Sequence, residues 1–374
     1  MAPIRVGIIG LSTAENLHGP GSWAVLSHLP ALQQLRDEYE IVAIANSSID
    51  SAQRSISAYG LSPSTRAYGS AEDIAKDPDV DLVVVSVRVQ KHFELAKPAL
   101  LQQKNVFIEW PLAANTAQVE ELGELAKAGG VRAIVGLQTR AAPMIRKVKD
   151  IIASGRIGRV VSSSLAFCST RHFLDPWPEN MAYLLDNSSG GNEYTIMFGH
   201  VLDSFTHVIG DISQIQSIVK TEHKTVRLGR KDGTIIDPLY PKTAPDQIAV
   251  QGTTESGAMV SISFRSPRHN ADDKDVRWYI SGSEGEIMIT APAAWTIQDK
   301  EAEITVKVGQ EPAEKVEYLE YRVPEMENVS ALAVNSIPMY KAYATDDKTV
   351  YATIESAVKT HRLLDEIMRV AIKD

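Results

Sequence analysis

The chain has 374 residues, 44% of them hydrophobic and 23% charged, with a net charge of −9. That length favours two domains over one, and the composition is that of a globular protein with apolar material for two cores. The acidic balance argues against a nucleic-acid surface, because phosphate binding needs clustered Lys and Arg; the densest basic run, Arg227 to Lys231, contains glycine and reads as a solvated loop.

Cys168 is alone, which rules out an intrachain disulfide and a thiolate zinc site and favours a reducing compartment. Met1 to Arg5 leads straight into a strand pattern with no charged-then-apolar leader. No apolar stretch approaches the roughly 20 residues that span a bilayer. The expectation is a soluble cytoplasmic protein with no membrane partner.

The first 138 residues alternate short β-rich runs with helical patterns. Arg5 to Ile9 reads as a strand. Ser22 to Arg36 carries a helical stripe of Trp23, Leu26, Leu29, Leu32 and Leu35, which Pro30 must bend or restart. Ile41 to Ala45 is a strand, Ala52 to Tyr59 and Ala71 to Lys76 are helices, and Val80 to Val87 is a strand. His92 to Gln103 is a helix, Val106 to Glu109 a strand, Thr116 to Ala128 a helix, and Val131 to Leu137 a strand. Such alternation gives a parallel sheet with helices on both faces.

From residue 139 onward the texture changes. Pro143 to Ser154 is a helix, and then strands dominate: Val160 to Phe167, Gln214 to Lys220, Gln247 to Thr253, Ala258 to Phe264, Val276 to Ser281, Glu286 to Thr290 and Ile304 to Val308. The turns between them fit hairpins, hence a large, mainly antiparallel sheet. One helix, Glu193 to Val208, interrupts the strands, and a last one, Val350 to Ile372, is expected to pack back on the first domain. The fold class is therefore α/β, a Rossmann-type parallel sheet over 1–138 followed by an α+β domain over 139–374.

Gly7 to Ser12 sits where the first strand turns into the first helix, with Gly10 at the tight turn and Ser12 where a second glycine is usual. Glycine there lets backbone approach a pyrophosphate at a helix amino terminus. The second strand ends at Asn46-Ser47-Ser48 with no carboxylate for the ribose hydroxyls. The Asn46 amide and the hydroxyls, Ser47 included, with Arg54 in the next helix, suit a 2′-phosphate, which tilts NADP or NAD toward NADP; the alternative is that they only cap the helix.

These residues, with Asp81 to Ser86, His92, Glu109-Trp110-Pro111, Gly155-Arg156-Ile157-Gly158 and Gly190-Gly191 leading to Gly199-His200 and Asp203, carry a resemblance. In their order and spacing they resemble the glucose–fructose oxidoreductase and inositol dehydrogenase family. The resemblance implies a pyridine nucleotide beside Gly10, Glu109 and Trp110, a small-molecule substrate, and a homodimer or larger homo-oligomer built through the second sheet. It also implies a catalytic lysine at Trp110 and an aspartate at Ile196, four residues before a histidine at His200. Trp110 and Thr195 to His200 are similar to the subgroup of that family formed by fungal galactose-regulon repressors, which bind NAD(P) and an acidic protein segment.

Two readings follow. In the first, an NAD(P)-dependent oxidoreductase acts on a sugar-like or small secondary metabolite, with His200 handling the proton and Tyr194 assisting. Arg171 and Trp177, after the first strand of the second domain, and Gln138 then line the substrate. In the second, the chain is a cofactor-sensing regulator with a protein partner, placed in the nucleus. His200, Asp203 and His207 share a helix face, but no further ligands are grouped near them, so no metal is expected.

Overall fold

The computed structural model describes residues 2–13, 22–169, 174–267, 269–292 and 301–372. The chain divides into two units, one of residues 1–138 and 323–361, the other of residues 139–322 and 362–374.

In the first unit, β1 (Ile4–Ile9), β2 (Tyr39–Ala45), β3 (Arg66–Tyr68), β4 (Leu82–Val85), β5 (Asn105–Ile108) and β6 (Ala133–Val135) pair in parallel in the order β6-β5-β4-β1-β2-β3. Leu82 to Val85 are buried without alternation, as expected of a strand covered on both faces. Helices α1 (Leu29–Gln34), α2 (Ile49–Ala58), α3 (Ala71–Lys76), α4 (His92–Leu101) and α5 (Thr116–Gly129) connect the strands. Side-chain caps start three of them: Ser48, Ser70 and Asn115 accept from the backbone N–H groups of Ser51, Asp73 and Gln118. Pro30 restarts a helix as expected, in the first turn of α1, and a π-helical turn, Ala24–His28, precedes it.

In the second unit, α6 (Pro143–Ala153) precedes β7 (Val160–Cys168) and β8 (Trp177–Pro178). A second π-helical turn, Tyr194–Phe198, runs into α7 (Gly199–Ile209). Then come β9 (Ile212–Lys220), β10 (Thr225–Gly229), β11 (Ile235–Pro241), β12 (Gln247–Thr254), β13 (Met259–Arg265), β14 (Val276–Gly282), β15 (Gly285–Ala291), β16 (Glu303–Val308) and β17 (Glu314–Val316). Eight of these strands form a sheet in the order β17-β16-β15-β14-β7-β13-β12-β9. Its pairs are antiparallel except β7 with β13, because the chain crosses over between those two strands. One face is core: Phe264 stacks on Phe167 and Phe205 on Trp278, with ring centroids 5.4 Å and 5.5 Å apart. The other face presents Ser164, Met259, Tyr279 and Ile218.

β8, β10 and β11 form a separate small sheet. The run Arg227 to Lys231, read from sequence as a loop, begins inside β10 and only its end is a turn. Beyond it, α8 (Ser336–Ala344) and β18 (Ala352–Thr353) belong to the first unit, where β18 pairs antiparallel with β6. The division between the units falls within α9 (Ile354–Val370). No helix among the described residues is long and apolar enough to cross a membrane.

Candidate functional site

The strand order of the first sheet reverses between β1 and β4, and ligands of such sheets bind in the crevice outside the strand ends at that point. Gly10 stands there with φ at +101°, and a Cβ on it would lie 2.4 Å from the Ser86 carbonyl oxygen and 2.5 Å from Val87 Cγ1. The turn therefore needs glycine twice over, for its dihedral and for the space. This close, side-chain-free approach is what a dinucleotide pyrophosphate requires of the backbone.

The segment after Gly10 is fastened to α2. Ser55 Oγ and Asn46 Nδ2 donate to the Leu11 carbonyl at 2.6 Å and 3.0 Å, and the Tyr59 hydroxyl donates to the Ser12 carbonyl at 2.5 Å. The Asn46 amide, read from sequence as an acceptor site for a 2′-phosphate, is thus directed at Leu11, Ser51 and Ser55. Ser47 and Arg54 remain exposed. Arg54 lines an open cleft of about 710 Å³ with Thr13, Asp50, Gln53, Ser57 and Ala58.

Beyond β5, Glu109 turns inward. Its carboxylate stands 2.9 Å from His28 Nε2 and lies so close to Gly136 that a Cβ there would meet it at 2.3 Å. Trp110 is also buried, and its ring centroid lies 4.5 Å from that of His361. His361 Nε2 accepts the Leu112 N–H at 3.2 Å, and burial pushes its pKa down to about 3, so the ring is neutral. His92 Nδ1 lies 2.8 Å from the Pro111 carbonyl oxygen, and burial lowers its pKa as well. Gln138, proposed from sequence to touch substrate, is buried at the end of this unit.

In the second unit, His200 is half-buried in the first turn of α7. One turn on, the Asp203 carboxylate takes both arms of the Arg140 guanidinium, at 2.7 Å from Nε and 2.6 Å from Nη2. Lys149 Nζ donates to His207 Nε2 at 3.0 Å; burial, together with the charges of Arg140 and Lys149, pushes His207 down to about 2. Asp203 and His207 are therefore committed to other partners. No group of three or more potential ligands drawn from His, Cys, Asp and Glu occurs among the described residues.

Two site residues read from sequence take other roles. Tyr194 is buried, its hydroxyl donates to the Leu364 carbonyl at 2.5 Å, and burial drives its pKa well above the ordinary tyrosine value. That hydroxyl is fixed structure rather than a proton donor to substrate. Trp177 is buried in a cluster with Leu185 and Leu228, its area spent on packing the small sheet. Arg171 lies outside the described residues.

Comparison with known proteins bears on both units. Residues 4–137 match the model of the oxidoreductase family with an NAD-binding Rossmann fold, and residues 143–291 match that of the Gal80p C-terminal domain. A dehydrogenase of Aspergillus oryzae, aclE, is 31% identical over 98% of this chain and 96% of its own length. The chain belongs to the Gfo/Idh/MocA oxidoreductase family. The galactose/lactose metabolism regulatory protein GAL80 of Saccharomyces cerevisiae is 29% identical over 79% of this chain and 68% of its own. The crystal structure of the transcriptional regulator Gal80p from Kluyveromyces lactis superposes with a TM-score of 0.83 at 26% identity, covering 98% of this chain and 92% of that one.

This member of the family keeps the NAD-binding Rossmann fold while Trp110 and Ile196 hold positions that the sequence resemblance gives to a lysine and an aspartate. An indole N–H only donates and does not titrate, and an isoleucine does neither. Sequence reasoning did not find His28, Tyr340 or His361. They come to Glu109 and Trp110 from 81 to 251 positions away in sequence (109 − 28 = 81; 361 − 110 = 251), and no local pattern marks them.

Proposed function

We propose that this protein is an NAD(P)-dependent oxidoreductase acting on a sugar-like or other small secondary metabolite. The observation that carries the reading is full-length similarity to a dehydrogenase, together with a Gly10 turn whose positive φ and crowding by Ser86 and Val87 admit no side chain. Bound nicotinamide dinucleotide supplies hydride transfer. Gly10 and Ser12 border its phosphates, the exposed Ser47 and Arg54 border the adenosine end, and Glu109 with Trp110 borders the nicotinamide end. Arg54 is an exposed cation on an open cleft, which supports NADP, although Asp50 on the same cleft tempers the preference for a 2′-phosphate. His200 is the remaining candidate for proton transfer, since an imidazole titrates near neutral pH.

The exposed face of the large sheet, with Met259 67% and Ile218 54% exposed amid small and polar side chains, fits association with a second copy of the chain. Sedimentation of wild type against Met259→Asp tests this; the variant sediments as the smaller species.

The test of function is nicotinamide oxidation or reduction across a panel of polyols, sugars and secondary alcohols, wild type against His200→Ala. Turnover by wild type, lost in the variant, supports the enzyme. A second reading, a cofactor-sensing regulator that docks a protein partner in the nucleus, is favoured by one observation: Trp110 and Ile196 remove both expected partners of His200. Nucleotide binding without turnover on any substrate, with a captured protein partner released by nucleotide, decides for the regulator. An enzyme working without a partner is placed in the cytoplasm.

A further inference from the structure

The segment Glu109-Trp110-Pro111-Leu112 is gripped side chain by side chain. His28 closes the π-helical turn before α1 and faces Glu109, His92 begins α4 and faces the Pro111 carbonyl, and His361 on α9 packs Trp110 and accepts from Leu112. All three histidines are buried. Glu109 faces His28, and its neighbour Trp110 packs on His361. Behind His28 lies a third group: the Tyr340 hydroxyl, 2.8 Å from Nδ1.

Tyr340 is fully buried, and burial drives its hydroxyl well above the ordinary tyrosine pKa, so it keeps a proton that it can donate to His28 Nδ1. His28 Nε2, on the other side of the ring, stands 2.9 Å from Glu109 Oε1. Phe107, two residues before Glu109, holds the His28 ring edge-on at 4.8 Å and fixes its plane. Gly136 leaves the carboxylate the space that a side chain there would take.

We propose that Tyr340, His28 and Glu109 form a buried chain of contacts, a hydrogen bond from Tyr340 to His28 and a charged contact from His28 to Glu109, that sets Trp110 against the nicotinamide end of the bound dinucleotide. The chain joins the helix that follows the Gly10 turn to the strand end that carries Trp110. Glu109 therefore serves through its neighbour and not by touching the ribose. The proposal rests on the nucleotide reading above.

The test uses the full-length protein and two ligands, NADH and ADP-ribose, which lacks the nicotinamide. Glu109→Gln is expected to weaken NADH binding about tenfold and to leave ADP-ribose within about twofold, the loss of one buried charged contact felt at one end only. Tyr340→Phe weakens NADH in the same sense, and adding it to Glu109→Gln costs nothing further, because both cut one chain. With ¹⁵N-labelled histidine, the His28 signal, assigned by its loss in His28→Asn, shows an unprotonated Nδ1 in wild type and a protonated Nδ1 in Tyr340→Phe. A parallel loss of both ligands, additive single losses, or an unchanged His28 signature overturns the proposal. If wild type binds neither ligand, the nucleotide reading itself fails and the proposal falls with it.

Discussion

Arg140, in the 3-10 turn just before α6, is joined to Asp203 on α7 through two parallel hydrogen bonds, with Asp203 fully buried. The arrangement is bidentate, which lysine cannot reproduce. Arg140→Met leaves a buried carboxylate without its cation and is expected to destabilise the fold by about 3–5 kcal/mol. Denaturant unfolding followed by the fluorescence of Trp278, in the same unit, reads this. The double variant Arg140→Met, Asp203→Leu recovers most of the loss, because a buried apolar pair needs no compensation. An equal loss in the double variant would mean that the pair's value lies elsewhere.

His207 and His361 give the stability an acid-side slope. Their folded pKa values, about 2 and about 3, lie below the ordinary imidazole value, burial being the main cause. In the unfolded chain each takes a proton near pH 6.5. Below that pH the unfolded state binds more protons, so stability is full above it and falls as pH falls. Each histidine contributes about 1.4 kcal/mol per pH unit over that window, or about 2 kcal/mol between pH 6.5 and 5. Thermal melts at pH 7 and pH 5 check this, and His361→Gln narrows the gap between them.

Gly10→Ala is expected to abolish measurable dinucleotide binding and to cost about 1–3 kcal/mol, since the new methyl meets Ser86 in a left-handed turn. Gly60→Ala is the control. Gly60 also has a positive φ, +60°, but nothing lies within 4 Å of its missing Cβ. Loss of stability without loss of NADH binding there separates backbone strain from the crowded crevice.

Trp110→Lys asks whether a proton carrier is all the site lacks. The indole's place is buried beside a neutral histidine, so an ammonium there loses hydration. The expected outcome is a fall in melting temperature. Turnover that appears only in this variant would argue that the native protein does not perform hydride chemistry.

Most strands of the two large sheets were legible because each carries its own signal: the unbroken run Val83 to Val85 for a doubly covered strand, alternation in Met259 to Arg265 for a half-covered one; β3, β17 and β18, of two or three residues, are too short to carry one. Gly10 was legible as a turn, though its crowding by Ser86 was not. The exposed Ile235 and Ile236 obscured β11, since a small two-sided hairpin has little periodic burial. The site was harder to read. Tyr194 and Trp177 look chemical in a sequence, but one is bound to Leu364 and the other is packed with Leu185 and Leu228. Asn46 looked free at a strand end, yet its amide holds Leu11. Side-chain direction decided all three, and residue type alone carries no direction.

The first unit is not contiguous in the chain: Tyr340 and His361 come from the stretch 323–361, after residues 139–322 of the second unit. During synthesis, His28 and Trp110 emerge from the ribosome more than two hundred residues ahead of the groups that enclose them. A truncated 1–138 fragment would expose Phe107 and Trp110 where α8 and α9 should cover them, and a premature stop near the end of the message would spoil the nucleotide crevice encoded at its beginning.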